Sequence, residues 1–235
     1  MKNLEQIKGS RVYGRRQGKS LRKASGERFD KYFPELSINL NEEGSLAVDT
    51  LFDHNPEQVW LEIGFGKGEH LAAQAQNNPN VAIIGCEPFI NGVSGLIDHI
   101  DRQQLNNIRV YMDDARLFMD ALPNEFLSRA FILFPDPWPK KRHHKRRIVS
   151  AGNLKVLSRI MKDNAELRIA TDHHDYCRWI IARLMENPEF TWVCDGPDQW
   201  HKRSDDWPAT RYESKALKVG RKSTYMTFIR KARLK

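Results

Sequence analysis

From about residue 58 onward, short apolar runs alternate with helix-length amphipathic stretches, and few architectures accept that pattern. The strand candidates are VWLEIG (59–64), VAIIGCE (81–87), IRVYM (108–112), RAFILF (129–134) and LRIATD (167–172), with late strands expected at 190–194 and 224–230. Helical periodicity marks 68–77, 90–105, 114–121, 150–162 and 174–186. Strands that alternate with helices build βαβ units and a parallel sheet covered on both faces. The expected class is therefore α/β. A length of 235 residues fits one such domain with extensions. Residues 1–35 are polar and basic, are punctuated by Gly9, Gly14, Gly18 and Gly26, and lack either periodicity. They read as a flexible arm ahead of a single domain at 36–235. The stretch 195–212 is turn-rich yet carries Trp200 and Trp207, which is too much aromatic surface for a mere connection.

Composition narrows the class further. At 40% hydrophobic the chain can bury a core, and no run reaches the ~18 apolar residues of a membrane span. The first residues contain no apolar run for a signal peptide. Cys86, Cys177 and Cys194 are widely spaced, as expected of reduced thiols in a cytosolic protein. The net charge of +8 is unevenly laid out. Segments 11–28, 140–147 and 215–235 hold 7, 6 and 8 Lys/Arg with one acid, Glu27, so they sum to +20 over a body of −12. Concentrated cations suit a polyanion, because each neutralised phosphate releases condensed counterions.

The first strand runs into Glu62-Ile63-Gly64-Phe65-Gly66-Lys67-Gly68. Gly64, Gly66 and Gly68 permit a tight turn and close approach of a ligand to the backbone. A phosphate P-loop requires Gly-Lys-Ser/Thr, and Lys67 is followed by Gly68. The dinucleotide pattern G-x-G-x-x-G fails because position 69 is Glu. The spacing E-x-G-x-G-x-G resembles the first motif of class I S-adenosylmethionine methyltransferases. Glu62 suits a cationic sulfonium and ammonium and would be misplaced beside a phosphate. Glu87 ends the second strand, where a carboxylate can accept hydrogen bonds from ribose hydroxyls. Asp113-Asp114 follows the third strand, at the place for adenine. All these strand ends converge on the crevice where open α/β sheets bind ligands.

After the fourth strand comes Phe134-Pro135-Asp136-Pro137-Trp138-Pro139 and then Lys140-Lys141-Arg142-His143-His144-Lys145-Arg146-Arg147. Each X-Pro step is expected to stiffen the backbone towards extended geometry and hold Asp136 over the crevice. Trp138 offers a stacking face beside six cations, which is how unpaired bases are captured. The pairs His143-His144 and His173-His174 lack metal-ligand spacing, and no metal is expected.

FPDPWPKKRHHKRR, with EIGFGKG, GCE, ATD and TRYE, resembles the tRNA (guanine-N7-)-methyltransferase family over about residues 58–230. The resemblance implies a Rossmann-like class I methyltransferase fold with a seven-stranded, mostly parallel sheet. It implies methyl transfer from S-adenosylmethionine to N7 of guanosine 46 in the tRNA variable loop, in the cytoplasm, without an obligatory protein partner. By motif, Glu62, Gly64, Gly66, Gly68, Glu87, Asp114 and Asp136 would bind the donor, and Asp136 would be catalytic. Lys140, Asp172, Thr210, Arg211, Tyr212 and Glu213 would meet the guanosine or its backbone. Arg142, His143, His144, Lys145, Arg146 and Arg147 would contact RNA. The arm matches only as a basic, glycine-containing leader.

Guanine N7 carries a lone pair and no proton, so the chemistry calls for alignment and electrostatics, with no base needed to create the nucleophile. A nicotinamide oxidoreductase on the same sheet would require the third dinucleotide glycine. A non-catalytic RNA-binding protein would tolerate loss of Glu87 or of the glycine loop, and both are intact. Methylation of another RNA is separated from tRNA methylation by the family motifs alone.

Overall fold

The computed structural model describes residues 13–41, 44–52, 56–194, 196–208, 213, 217–218 and 220–234. Among them, seven strands form one sheet in the order β3-β2-β1-β4-β5-β7-β6. The strands are β1 (Gln58–Ile63), β2 (Val81–Cys86), β3 (Ile108–Tyr111), β4 (Leu127–Leu133), β5 (Met161–Thr171), β6 (Phe190–Val193) and β7 (Thr224–Arg230). The helices are α1 (Lys23–Leu36), α2 (Glu69–Asn77), α3 (Ile90–Gln103), α4 (Ala115–Ala121), α5 (Ala151–Ile160) and α6 (His174–Met185). β1 to β5 pair in parallel, whereas β7 is antiparallel to both β5 and β6. The chain winds outward from β1 to β3, then returns to lay β4 on the other side of β1. That reversal opens a crevice at the carboxyl ends of β1 and β4.

The strands explain the two-sided cover. All six residues of β2 are buried, as a central parallel strand requires. Along β1, Val59, Leu61 and Ile63 join the core under α4, α5 and α6, and Trp60 joins the core under α2 and α3. Glu62 shares the parity of Trp60 and so points towards α2. No helix among the described residues is long and apolar enough to cross a membrane.

Two expectations need correction. Residues 23–36, read as aperiodic arm, form α1. Its helix is held by tertiary contacts: Phe29 stacks on Phe33 at 4.7 Å, Arg28 pairs with Asp98 at 2.8 Å, and the Tyr32 hydroxyl bonds Asp101. β5 begins at Met161, well before the expected 167. Leu127 faces Met161 but Arg129 faces Glu166, so β5 bulges between them, and Asn164 takes φ of 65° there.

Candidate active site

The turn after β1 sets the geometry of the crevice. Gly64, Gly66 and Gly68 have φ of 74°, 59° and 78°, a region that side chains resist. Gly92 at the start of α3 lies so close that a Cβ there would come within 2.3 Å of the Gly66 carbonyl oxygen. The turn is thus clamped from α3.

Glu87 closes the clamp. Its Oε2 accepts the Gly66 N–H at 2.9 Å and its Oε1 accepts the Phe89 N–H at 3.1 Å. Burial pushes its pKa up to about 7; the two backbone hydrogen bonds oppose that, and the charges of Asp136 and Glu62 add to it. Glu62, Glu87 and Asp136 stand at or just beyond the carboxyl ends of β1, β2 and β4, three neighbouring strands of the sheet. Glu62 is buried and holds its Oε2 2.8 Å from His70 Nδ1 on α2.

The third strand end supplies Asp113 and Asp114. Asp114 caps α4 by accepting the Arg116 N–H at 3.0 Å, and its carboxylate grips the Arg116 guanidinium at 2.8 Å. Asp113 takes the Arg16 guanidinium at 2.8 Å. The leader therefore docks. Arg16 O accepts from Ile90 N, Gly18 N donates to Asn91 Oδ1, and the Asn91 amide donates to Lys19 O. The Tyr13 ring lies 5.0 Å from both the Arg116 and Arg146 guanidiniums and 6.4 Å from Trp138. Residues 13–19 thus run from the loop after β4, past the end of β3, to the start of α3, across the carboxyl ends of the strands.

Asp136 sits in that loop, exposed, with its carboxyl held above the ordinary range by partial burial. Two of the residues preceding prolines depart from the expected extended geometry. Phe134 has φ of 50° and Trp138 φ of 43°, so two bulky side chains bracket Asp136 in the left-handed region. Such strain concentrates at functional sites. Beyond it, Lys141–Arg146 form a 3-10 helix with no acid in its first turn. Lys140, Lys141, Arg142 and Lys145 are exposed, Arg146 lies 4.9 Å over Trp138, and Trp138 meets His143 edge-on at 6.0 Å. Partial burial and four neighbouring cations hold His143 below its usual pKa. His144 packs on Trp179 at 5.3 Å.

Arg147 corrects the expected RNA surface. It is 1% exposed, donates to the Pro137 carbonyl at 2.9 Å, and pairs with Asp175 at 2.5 Å between Tyr176 and Trp179. It props the Asp136 loop from below and has no face for RNA. Cations of the C-terminal basic segment are also spent internally. Arg230 binds Asp163 and Glu189, and Arg233 binds Asp163 and the carbonyls ending α5. Asp172 pairs with Arg221 at 3.2 Å, and Glu213 accepts from Arg203 at 2.8 Å and from the Tyr225 hydroxyl at 2.5 Å. Thr210, Arg211 and Tyr212 lie outside the described residues. No group of three or more His, Cys, Asp or Glu able to hold a metal occurs among the described residues.

His70, Gln74 and Arg16 were not singled out by sequence reasoning. The available signal was polar residues at i and i+4, His70 and Gln74, in a helix otherwise rich in Leu and Ala.

Residues 56–226 match a family model described as a putative methyltransferase. The chain is 44% identical over 227 residues to the tRNA (guanine-N(7)-)-methyltransferase of Rhodospirillum rubrum, covering 95% of this chain and 89% of that protein. It is 44% identical over 220 residues to the enzyme of the same name from Zymomonas mobilis, with 94% of each covered. Among solved structures, the 16S rRNA methyltransferase KamB matches with a TM-score of 0.55 at 13% identity, over 75% of this chain and 89% of that one, a likeness of fold alone. A relation that spans nearly the whole chain, on a class I methyltransferase sheet with its glycine turn and acidic strand ends in place, leaves one conclusion: the chain belongs to the tRNA (guanine-N7-)-methyltransferase family.

Proposed function

We propose that the protein transfers a methyl group from S-adenosylmethionine to N7 of guanosine 46 in the variable loop of tRNA, in the cytoplasm. The observation that carries this reading is the pairing of an acid-lined crevice with a cationic rim. Glu62, Glu87 and Asp136 lie at or just beyond the carboxyl ends of the neighbouring strands β1, β2 and β4, and Trp138 with the exposed Lys140, Lys141, Arg142 and Lys145 follows Asp136 in the same loop.

The residues fit such a donor. Burial and mutual repulsion lift Glu87 to about 7, which marks an acidic cluster short of positive charge. A sulfonium and an ammonium supply that charge, and the ribose hydroxyls suit a carboxylate at the end of β2. Glycines at 64, 66 and 68 leave the turn after β1 without side chains at those positions, so a ligand there can approach the backbone closely. When bound, the donor supplies a methyl group already activated by its sulfonium.

The protein then has to align and stabilise. Asp136 accepts hydrogen bonds from guanine N1–H and the 2-amino group and faces the positive charge that the purine gains. Asp172 assists from the end of β5. Arg147 keeps the Asp136 loop in place through the Pro137 carbonyl. Lys140, Arg142, His143, His144, Lys145 and Arg146 hold RNA phosphates, and Thr210, Arg211, Tyr212 and Glu213 meet the guanosine. Adenine, lacking the N1–H and 2-amino donors, would leave the carboxylates without partners, which gives base selectivity.

Incubation with labelled donor and unmodified tRNA, followed by nucleoside analysis, tests the reading. It predicts label in 7-methylguanosine. Label in another nucleoside, or none in the RNA, overturns it.

A further inference from the structure

Behind Glu62 runs a buried polar chain whose other members, His70 and Gln74, have no part in the chemistry above. Glu62 and His70 are each 2% exposed and Gln74 is 1% exposed. Glu62 Oε2 is 2.8 Å from His70 Nδ1, and His70 Nε2 is 3.4 Å from Gln74 Nε2. The Gln74 amide also donates to the backbone carbonyl of Asp206 at 2.6 Å. With Glu62 ionised, the protons fit in one pattern. The Glu62 carboxylate only accepts, so Nδ1 carries the hydrogen; Nε2 then accepts from one Gln74 N–H, and the other goes to Asp206.

The far end of this chain is anchored as firmly as the near end. Arg168 grips both Asp206 carboxylate oxygens at 2.9 and 2.7 Å. Trp207, 3% exposed, covers His70 at 5.4 Å and packs on Tyr225 at 5.3 Å. Tyr225 in turn donates to Glu213. Glu213, one of the expected guanosine contacts, is therefore linked through Tyr225 and Trp207 to His70.

Packing alone does not account for this. The neighbouring core positions of α2 are Leu71, Ala72 and Ala75, and apolar side chains at 70 and 74 would fill the same space with two fewer buried polar side chains to satisfy. We propose that His70 and Gln74 are positioning residues that couple the donor pocket, through Glu62, to the expected guanosine contact Glu213, through Asp206, Trp207 and Tyr225. The coupling rests on the function proposed above. A cationic donor at Glu62 reinforces the chain through His70 and Gln74 to Asp206 and Trp207, so RNA meets Glu213 held more firmly in place. By linkage the effect is reciprocal, and RNA must tighten donor binding by the same factor.

Three variants test it in the full chain. Gln74→Met keeps length and loses both N–H donors. His70→Asn keeps a donor towards Glu62 and loses the Nε2 acceptor. His70→Leu loses both. Donor affinity is measured by calorimetry with and without unmodified tRNA, and steady-state transfer gives KM and kcat. For Gln74→Met and His70→Asn, donor affinity without tRNA is expected within about twofold of wild type. Their tRNA KM rises about 5- to 10-fold, more than kcat falls, and tRNA no longer tightens donor binding. His70→Leu also loses about tenfold in donor affinity. If His70→Leu fails to fold, the first two variants decide. Wild-type tRNA KM and wild-type coupling in both overturn the proposal. So does a loss of kcat and both KM values that simply tracks melting temperature. Absence of transfer by the wild type would instead overturn the functional reading, and this coupling with it.

Discussion

Glu87 accepts the backbone N–H of Gly66 at 2.9 Å, so the acid that ends β2 also pins the turn that ends β1. The pocket is therefore pre-shaped by the residue expected to hold the ribose. Truncating it removes both functions. Glu87→Ala should weaken donor affinity by roughly 1.5–3 kcal/mol, the scale of hydrogen bonds to a charged group. Calorimetry checks it, and unchanged affinity would remove Glu87 from the pocket.

The same residue predicts a pH dependence. Its folded pKa, about 7, stands above the ordinary 4.5. The stability it contributes is then fully present below pH 4.5 and is lost as pH rises through about 7. Glu87→Gln removes that loss. Relative to wild type, the variant should therefore gain in melting temperature between pH 5 and pH 8. A donor cation favours the ionised form, so binding between about pH 5 and 7 should release a proton, seen as a buffer-dependent heat that the variant lacks. Parallel melting profiles would contradict the burial of Glu87.

Asp136 and Trp138 separate function from stability. Asp136 is exposed and adds little to the core, so Asp136→Ala should melt near wild type, lose transfer, and lose less in donor affinity. Trp138→Gly should relieve strain of about 1–3 kcal/mol at φ 43°, offsetting the lost ring contacts. Its stability should stay within about 1 kcal/mol of wild type, and its transfer should fall at least tenfold. A variant that melts far lower with full activity would make the Pro-flanked loop a structural device only.

The charge map divides by pairing. Lys141, Arg142 and Lys145 are exposed, and removing them together should flatten the slope of log affinity for tRNA against log salt by roughly two to three units. Arg147→Met should leave that slope nearly unchanged and instead cost roughly 1.5–3 kcal/mol of stability, because its buried guanidinium bonds Pro137 and Asp175. The reverse pattern would place Arg147 at the RNA and the other three in solvent.

The strands and the five helices after β1 were legible because apolar period and turn residues agree there. α1 was not, since Gly26 and Pro34 interrupt its pattern and its stability comes from Phe29, Tyr32 and Arg28 against α3. The early part of β5, MKDNAE, is polar and became strand through pairing with β4. Of the expected site residues, Glu87 does stand at the strand end where the sequence put it. Arg147 was misjudged because a run of cations hides which one turns inward, and only Asp175, 28 residues on, decides it. The left-handed backbone at Phe134 and Trp138 runs against the local preference of residues before proline, so tertiary contacts alone set it.

The most direct measurement uses tRNA in which only guanosine 46 is replaced by 7-deazaguanosine. That base keeps the N1–H and 2-amino edge that the carboxylates are proposed to read and lacks N7, the proposed methyl acceptor. The substituted tRNA should bind with the affinity of the unsubstituted one and accept no labelled methyl. Label appearing on it at the normal rate would show that N7 of guanosine 46 is not the acceptor.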